Sequence, residues 1–255
     1  MVTGLDRWQE FFADYKDKYV LIGGAACHLL EEELDMNPRA TKDLDLVLIV
    51  EAITPDFGAR LWEFIKKANY KGRRKGESEH KHEYYRFVNP DDKSFPKQIE
   101  LFARNAGLLN LPADARIEPI SLGEDLSSVS AILMDSDYYA FTIKHSKNLG
   151  NIHIASAEAL ICLKAKAYID MLERRDAGES VDSRDIEKHK KDVFRLIAML
   201  PEDETFPTPN RLRIDIEQFC NKIGPMPNAE FFKNAGLMGL TAELLIEKLK
   251  KTFDA

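Results

Sequence analysis

Asp43-Leu44-Asp45 opens the apolar run LDLVLIV and sets two carboxylates two residues apart. On a strand the period of two puts both on one face, with Leu44 turned to the other. Carboxylates that close repel unless positive charge lies between them. A divalent cation is the usual solution, and Mg²⁺ takes one or two carboxylates and completes its shell with phosphate oxygens. Glu100, between Ile99 and Leu101, offers a third carboxylate from a second run of strand type. If the two strands are neighbours, the three carboxylates suit two cations about 3.5–4 Å apart, the arrangement for in-line phosphoryl displacement. Mg²⁺ is the expected ion and Mn²⁺ its alternative. Gly23-Gly24, after the apolar YVLI, supplies the other half. Glycines let backbone approach a phosphate, and a helix starting there offers N–H groups and a positive dipole end. Arg39 and Lys42 flank the aspartates within reach of phosphate oxygens or a base. Each piece alone is common in turns and on solvated strand edges; their order around strands is what points to a site.

The elements that must hold these residues follow from the apolar pattern. Leu5–Tyr15 has helical spacing, Tyr19–Ile22 is a short buried strand, and a helix runs over Ala25–Leu34 until Asn37-Pro38 breaks it. Leu44–Val50 is a strand and Asp56–Asn69 a helix with Leu61, Phe64 and Ile65 on one face. A charge-dense stretch from Tyr70 ends in an aromatic strand at Val88, and Lys97–Phe102 alternates as a strand does. Short β pieces are expected at Ile117–Leu122, Ala131–Met134 and Tyr138–Lys144. Beyond residue 154 the pattern is helical: Ala157–Leu172, Ser183–Leu200, Arg211–Ile223 and Thr241–Phe253. The expected class is α+β, a mixed-sheet domain over 1–153 followed by a helical domain over 154–255.

Composition narrows the function classes. A chain of 255 residues has room for two cores, and 44% hydrophobic with 31% charged residues is a globular balance. A net charge of −7 argues against broad non-specific DNA binding but permits a local basic face. Cys27, Cys162 and Cys220 lie far apart, without the spacing of a disulfide framework or a zinc motif, which fits a reducing cytoplasm. No apolar run reaches the roughly 18 residues of a membrane span, and the N-terminus has no secretory pattern. The tract Lys71–Arg74 with His80, Lys81 and His82 is basic, but Glu77, Glu79 and Glu83 dilute it, so it reads as a solvated hairpin tip. His28 stands alone, and His189 sits in a polar helix start. There is no His-Glu-x-x-His, Gly-x-Ser-x-Gly or Walker-type loop.

Taken together, strand–Gly23-Gly24–helix, then Arg39-x-Thr41-x-Asp43-x-Asp45, then Glu100 between apolar neighbours, resembles the DNA-polymerase-β-type nucleotidyltransferase superfamily. Within it, GGAACHLL…RATKDLDLVL is similar to the AbiEii-type nucleotidyltransferases, toxins of bacterial abortive-infection and toxin–antitoxin systems. The resemblance implies a nucleotidyltransferase core on a five-stranded mixed sheet, Mg²⁺ dependence and a nucleoside triphosphate donor. Asp43, Asp45 and Glu100 would be the metal ligands, and Gly23, Gly24, Arg39, Thr41 and Lys42 would face the nucleotide. It departs in two places: eighteen residues separate Gly24 from Asp43, and Gly24 stands where Ser is usual. In the helical half, Leu163-Lys164-Ala165-Lys166-Ala167 and Lys191-Asp192 resemble a further pair of family positions. By that resemblance Lys164 binds donor phosphates and Asp192 orients it or the base, with Lys166 as the alternative phosphate contact. The implied acceptor is RNA or a protein side chain, with an antitoxin as partner. Small-molecule nucleotidyltransferases similar to the antibiotic-resistance enzymes share the same elements, and a non-catalytic binding protein of the same fold is the third alternative.

Overall fold

The structure, a computed structural model, describes residues 2–71, 85–103, 118–119, 132–133, 135–224 and 226–255. The basic tract after Lys71 and most of the β piece expected at Ile117–Leu122 lie outside them; in the β piece expected at Ala131–Met134 the two described residues, Ile132 and Leu133, form a helical turn instead of a strand. The chain divides into two compact units, the described parts of Met1–Leu29, Pro38–Leu126 and Ser146–Ala155, and those of Leu30–Asn37, Ser127–His145 and Ser156–Ala255. The class is α+β, with a mixed sheet and a helical C-terminal part.

The first unit is built on a seven-stranded sheet in the order β5-β3-β4-β2-β1-β7-β6, two strands more than the five the resemblance implies. Its strands are β1 (Tyr19–Ile22), β2 (Asp43–Leu48), β3 (Tyr85–Val88), β4 (Gln98–Phe102), β5 (Glu118–Pro119), β6 (Ser146–Leu149) and β7 (Ile152–Ala155). β1 runs antiparallel to β2 and parallel to β7, while β2 runs parallel to β4, so the sheet is mixed. β1 is buried throughout, as a central strand of four apolar residues must be. β6 and β7 form a hairpin across Gly150-Asn151, and Gly150 takes a φ of 56° that the tight turn requires.

Helices α1 (Leu5–Phe11) and α3 (Pro55–Ala68) bury an aromatic cluster in this unit. Trp8 stacks on Phe12 with ring centroids 4.0 Å apart, and Phe64 meets Trp8 edge-on at 5.4 Å. Each large apolar side chain fully buried here contributes on the order of 1.5–3 kcal/mol. α3 starts where Thr54 accepts a hydrogen bond from the Phe57 N–H, with Pro55 in the first turn, and ends on Asn69 in the left-handed region. Between them α2 (Gly23–Glu33) follows β1 directly.

The second unit contains α4 (Ser136–Lys144), α5 (Ala157–Asp176), α6 (Ser183–Met199), α7 (Asn210–Lys222), α8 (Ala229–Asn234) and α9 (Ala242–Phe253). α4 corrects the β expectation at Tyr138–Lys144. Asp135 caps it by accepting from the Asp137 and Tyr138 N–H groups, and Tyr138, Phe141 and Thr142 share a buried face at helical spacing. A cap and one buried helical face outweigh the β preference of aromatic and β-branched residues. No helix among the described residues is long and apolar enough to cross a membrane.

Candidate active site

The glycine pair sits at the junction of β1 and α2. Gly23 is buried and holds a φ of +68°, a region costly for any residue with a Cβ. A Cβ built there would fall on Asp45 Oδ2 and lie 2.9 Å from Asp45 Cγ. The missing side chain is thus the space the Asp45 carboxylate uses. Gly24 is a second point of close approach: a Cβ there would lie 3.1 Å from Arg39 Nη2 and 3.3 Å from Thr41 Oγ1. Five of the residues singled out by type and spacing (Gly23, Gly24, Arg39, Thr41 and Asp45) therefore meet at one strand–helix junction.

The segment that carries Arg39 and Thr41 is anchored by backbone. The Thr3 N–H donates to the Thr41 carbonyl at 3.3 Å, and the Lys97 N–H donates to the Lys42 carbonyl at 2.9 Å. His28, on α2 and 1% exposed, places Nδ1 2.9 Å from the Arg39 carbonyl. His28 belongs to no motif in the sequence; its partner lies eleven positions on, across a break in the helix, and no local signal shows it. Arg39 and Lys42 are exposed, while Asp43 and Asp45 are half-buried.

Sheet register assembles the carboxylates. In the parallel pair β2–β4, Asp43 lies opposite Gln98 and Asp45 opposite Glu100. Because register partners in adjacent strands point to the same face, Asp43, Asp45, Gln98 and Glu100 share one. β3 adds Arg86 opposite Glu100. The Arg86 Nε donates to Glu100 Oε1 at 2.7 Å, its Nη2 lies 2.7 Å from the same oxygen, and Gln98 Nε2 donates to it at 2.9 Å. Glu100 is buried, and burial pushes its carboxyl above the usual range; Arg86 opposes the shift and the charge of Asp43 adds to it. Arg86 was not among the residues expected from sequence, because only strand order places it beside Glu100.

Asp43 and Asp45 suit a divalent cation. They are two carboxylates on one sheet face, and Asp45 occupies a cradle that a Cβ would fill. Among the described residues, no group of three or more His, Cys, Asp or Glu side chains gathers in a metal-holding arrangement. The three carboxylates expected from sequence, Asp43, Asp45 and Glu100, share one face of the sheet, and Glu100 is paired with Arg86.

The second unit holds the remaining expected residues. Lys164 Nζ lies 2.9 Å from Asp192 Oδ2, and both side chains are 6% exposed. Lys166 Nζ lies 3.0 Å from Asp170 and 3.5 Å from Asp215, which also accepts from the Tyr138 hydroxyl at 2.9 Å. The two lysines of α5 thus serve different partners. No family model, curated protein or solved structure matches this chain.

Proposed function

We propose that this chain is a Mg²⁺-dependent nucleotidyltransferase that moves a nucleoside monophosphate from a nucleoside triphosphate to an acceptor hydroxyl. The supporting observation is the Gly23 cradle, a positive-φ glycine whose absent side chain gives the Asp45 carboxylate its place where a strand enters a helix. A glycine at that point serves both close approach of a phosphate to backbone and a carboxylate beside it. Mg²⁺, when bound, supplies charge neutralisation at the phosphates.

Asp43 and Asp45 hold the cation. Gly23 and Gly24 let the triphosphate approach the start of α2, and Arg39, Thr41 and Lys42 donate to its oxygens or to the base. The acceptor oxygen forms a bond to the α-phosphorus, the bond from that phosphorus to its bridging oxygen breaks, and pyrophosphate leaves. Glu100, on the same sheet face, receives the acceptor's proton. Positioning and electrostatic stabilisation carry most of the acceleration in reactions of this class. The favoured acceptor is RNA, within an AbiEii-like toxin paired with an antitoxin; protein side chains and small molecules are the alternative acceptors.

A second reading, a binding protein of the same fold without catalysis, is favoured by one observation: Glu100 is engaged by Arg86. One assay separates the two. The protein is incubated with each α-labelled nucleoside triphosphate, total RNA and Mg²⁺, beside Asp43→Ala/Asp45→Ala. Label on RNA, absent in the double variant, supports the transferase. Mg²⁺-dependent nucleotide binding without transfer directs the search to other acceptors. Absence of Mg²⁺-dependent nucleotide binding leaves the non-catalytic reading.

A further inference from the structure

Two N–H-bearing nitrogens of Arg86 converge on Glu100 Oε1 at 2.7 Å, and Gln98 adds a third donor at 2.9 Å. The pair is largely withdrawn from water, the side chains being 18% and 6% exposed. Guanidinium stays charged at every pH a fold survives, and charge-assisted bonds of this length are the strong ones. Separating such a pair to admit a cation at Glu100 strands a guanidinium beside that cation, which is unfavourable twice over.

We propose that Arg86 takes the place of a cation at Glu100, so that the chain carries a single divalent-cation site on Asp43 and Asp45, with Glu100 outside it. The proposal rests on the reading of Asp43 and Asp45 as cation ligands. Arg86 is then a positioning residue. It supplies fixed positive charge where a two-ion centre would use a second metal, and it keeps the Glu100 carboxylate aimed along the sheet face.

The test titrates Mn²⁺ alone into the full chain and follows free ion by electron paramagnetic resonance, with melting curves checking that each variant folds. Wild type is expected to bind one Mn²⁺ per chain. Glu100→Gln is expected to keep that site within about twofold in affinity, since no ligand is lost, whereas Asp43→Asn/Asp45→Asn weakens it by about tenfold or more. Arg86→Met, if folded, is expected to gain a second Mn²⁺; if it does not fold, the Glu100→Gln comparison decides. Two Mn²⁺ per wild-type chain with one lost in Glu100→Gln, or a single site weakened tenfold by Glu100→Gln, overturns the proposal and leaves the cation-dependent transferase standing. No Mn²⁺ bound by wild type at millimolar concentration overturns this proposal, and the labelled-nucleotide assay then decides the transferase reading by itself.

Discussion

Gly23 bears two demands at once, a left-handed backbone and an empty Cβ position against Asp45. Gly23→Ala is expected to lose roughly 1–2 kcal/mol from backbone strain alone, with more from displacing the carboxylate. Thermal melts and Mn²⁺ affinity should both fall. A variant that melts and binds Mn²⁺ like wild type would show that the cradle has no role. Gly24→Ala should be milder, because the neighbours at 3.1 and 3.3 Å are the ends of the Arg39 and Thr41 side chains and can shift. Nucleotide affinity should register it more than stability does. His153 makes a separate, pH-dependent contribution. Its Nδ1 lies 3.0 Å from the Lys16 carbonyl and its Nε2 2.9 Å from Ser146 Oγ, and burial holds its pKa below the usual value. The unfolded chain therefore binds that proton more readily. The stabilisation is complete above the unfolded value, about 6.5, and is lost as pH falls through it towards the folded pKa. Denaturant midpoints should drop more between pH 8 and pH 5.5 for wild type than for His153→Gln.

Among the elements, α5 and α6 carry the sharpest dependence on a polar pair. Lys164→Met leaves Asp192 buried without its 2.9 Å partner and should cost about 3–5 kcal/mol, while Lys164→Met/Asp192→Leu should recover most of it. Denaturation measures the pair, and nucleotide affinity of the folded double variant asks whether Lys164 has the phosphate role its resemblance implies. Thr54→Ala removes the cap of α3 and should cost about 1 kcal/mol. Several elements are legible in the sequence alone. β1 matches its expected bounds, β4 starts one residue late, and α6 ends one residue early. The β6–β7 hairpin is not among the expected elements, although Gly150-Asn151 between Leu149 and Ile152 is a recognised turn signal. α4 differs from the expected strand because Tyr138–Lys144 has strand-type composition, and the Asp135 cap that decides the matter lies just outside that window.

At the level of the chain, the two compact units interleave along the sequence. Residues 146–155 group with the sheet, while Leu30–Asn37 and the described part of 127–145 group with the helices. A fragment of residues 1–153 therefore ends inside β7, the parallel neighbour of β1, and a fragment of 156–255 lacks α4, whose Tyr138 bonds Asp215. Neither fragment is expected to show the dispersed amide spectrum of a folded domain, whereas one ending beyond β7 retains all the strands described here. A well-dispersed spectrum from 1–153 would show that β7 is dispensable.

Residue order alone determined the chemistry on offer: glycines after an apolar run, two aspartates at period two, and a glutamate between apolar neighbours. Those features are local, because strand periodicity fixes which side chains share a face whatever the strand packs beside. Only the tertiary structure decided what stands next to what. Strand order put β4 beside β2 and so Glu100 beside Asp45, and put Arg86 on the other flank of Glu100. Likewise Lys164 and Lys166, two residues apart on a helix, face different neighbours, so Asp192 takes one and Asp170 with Asp215 the other. Such pairings arise between segments distant in sequence, and only their packing selects the partner.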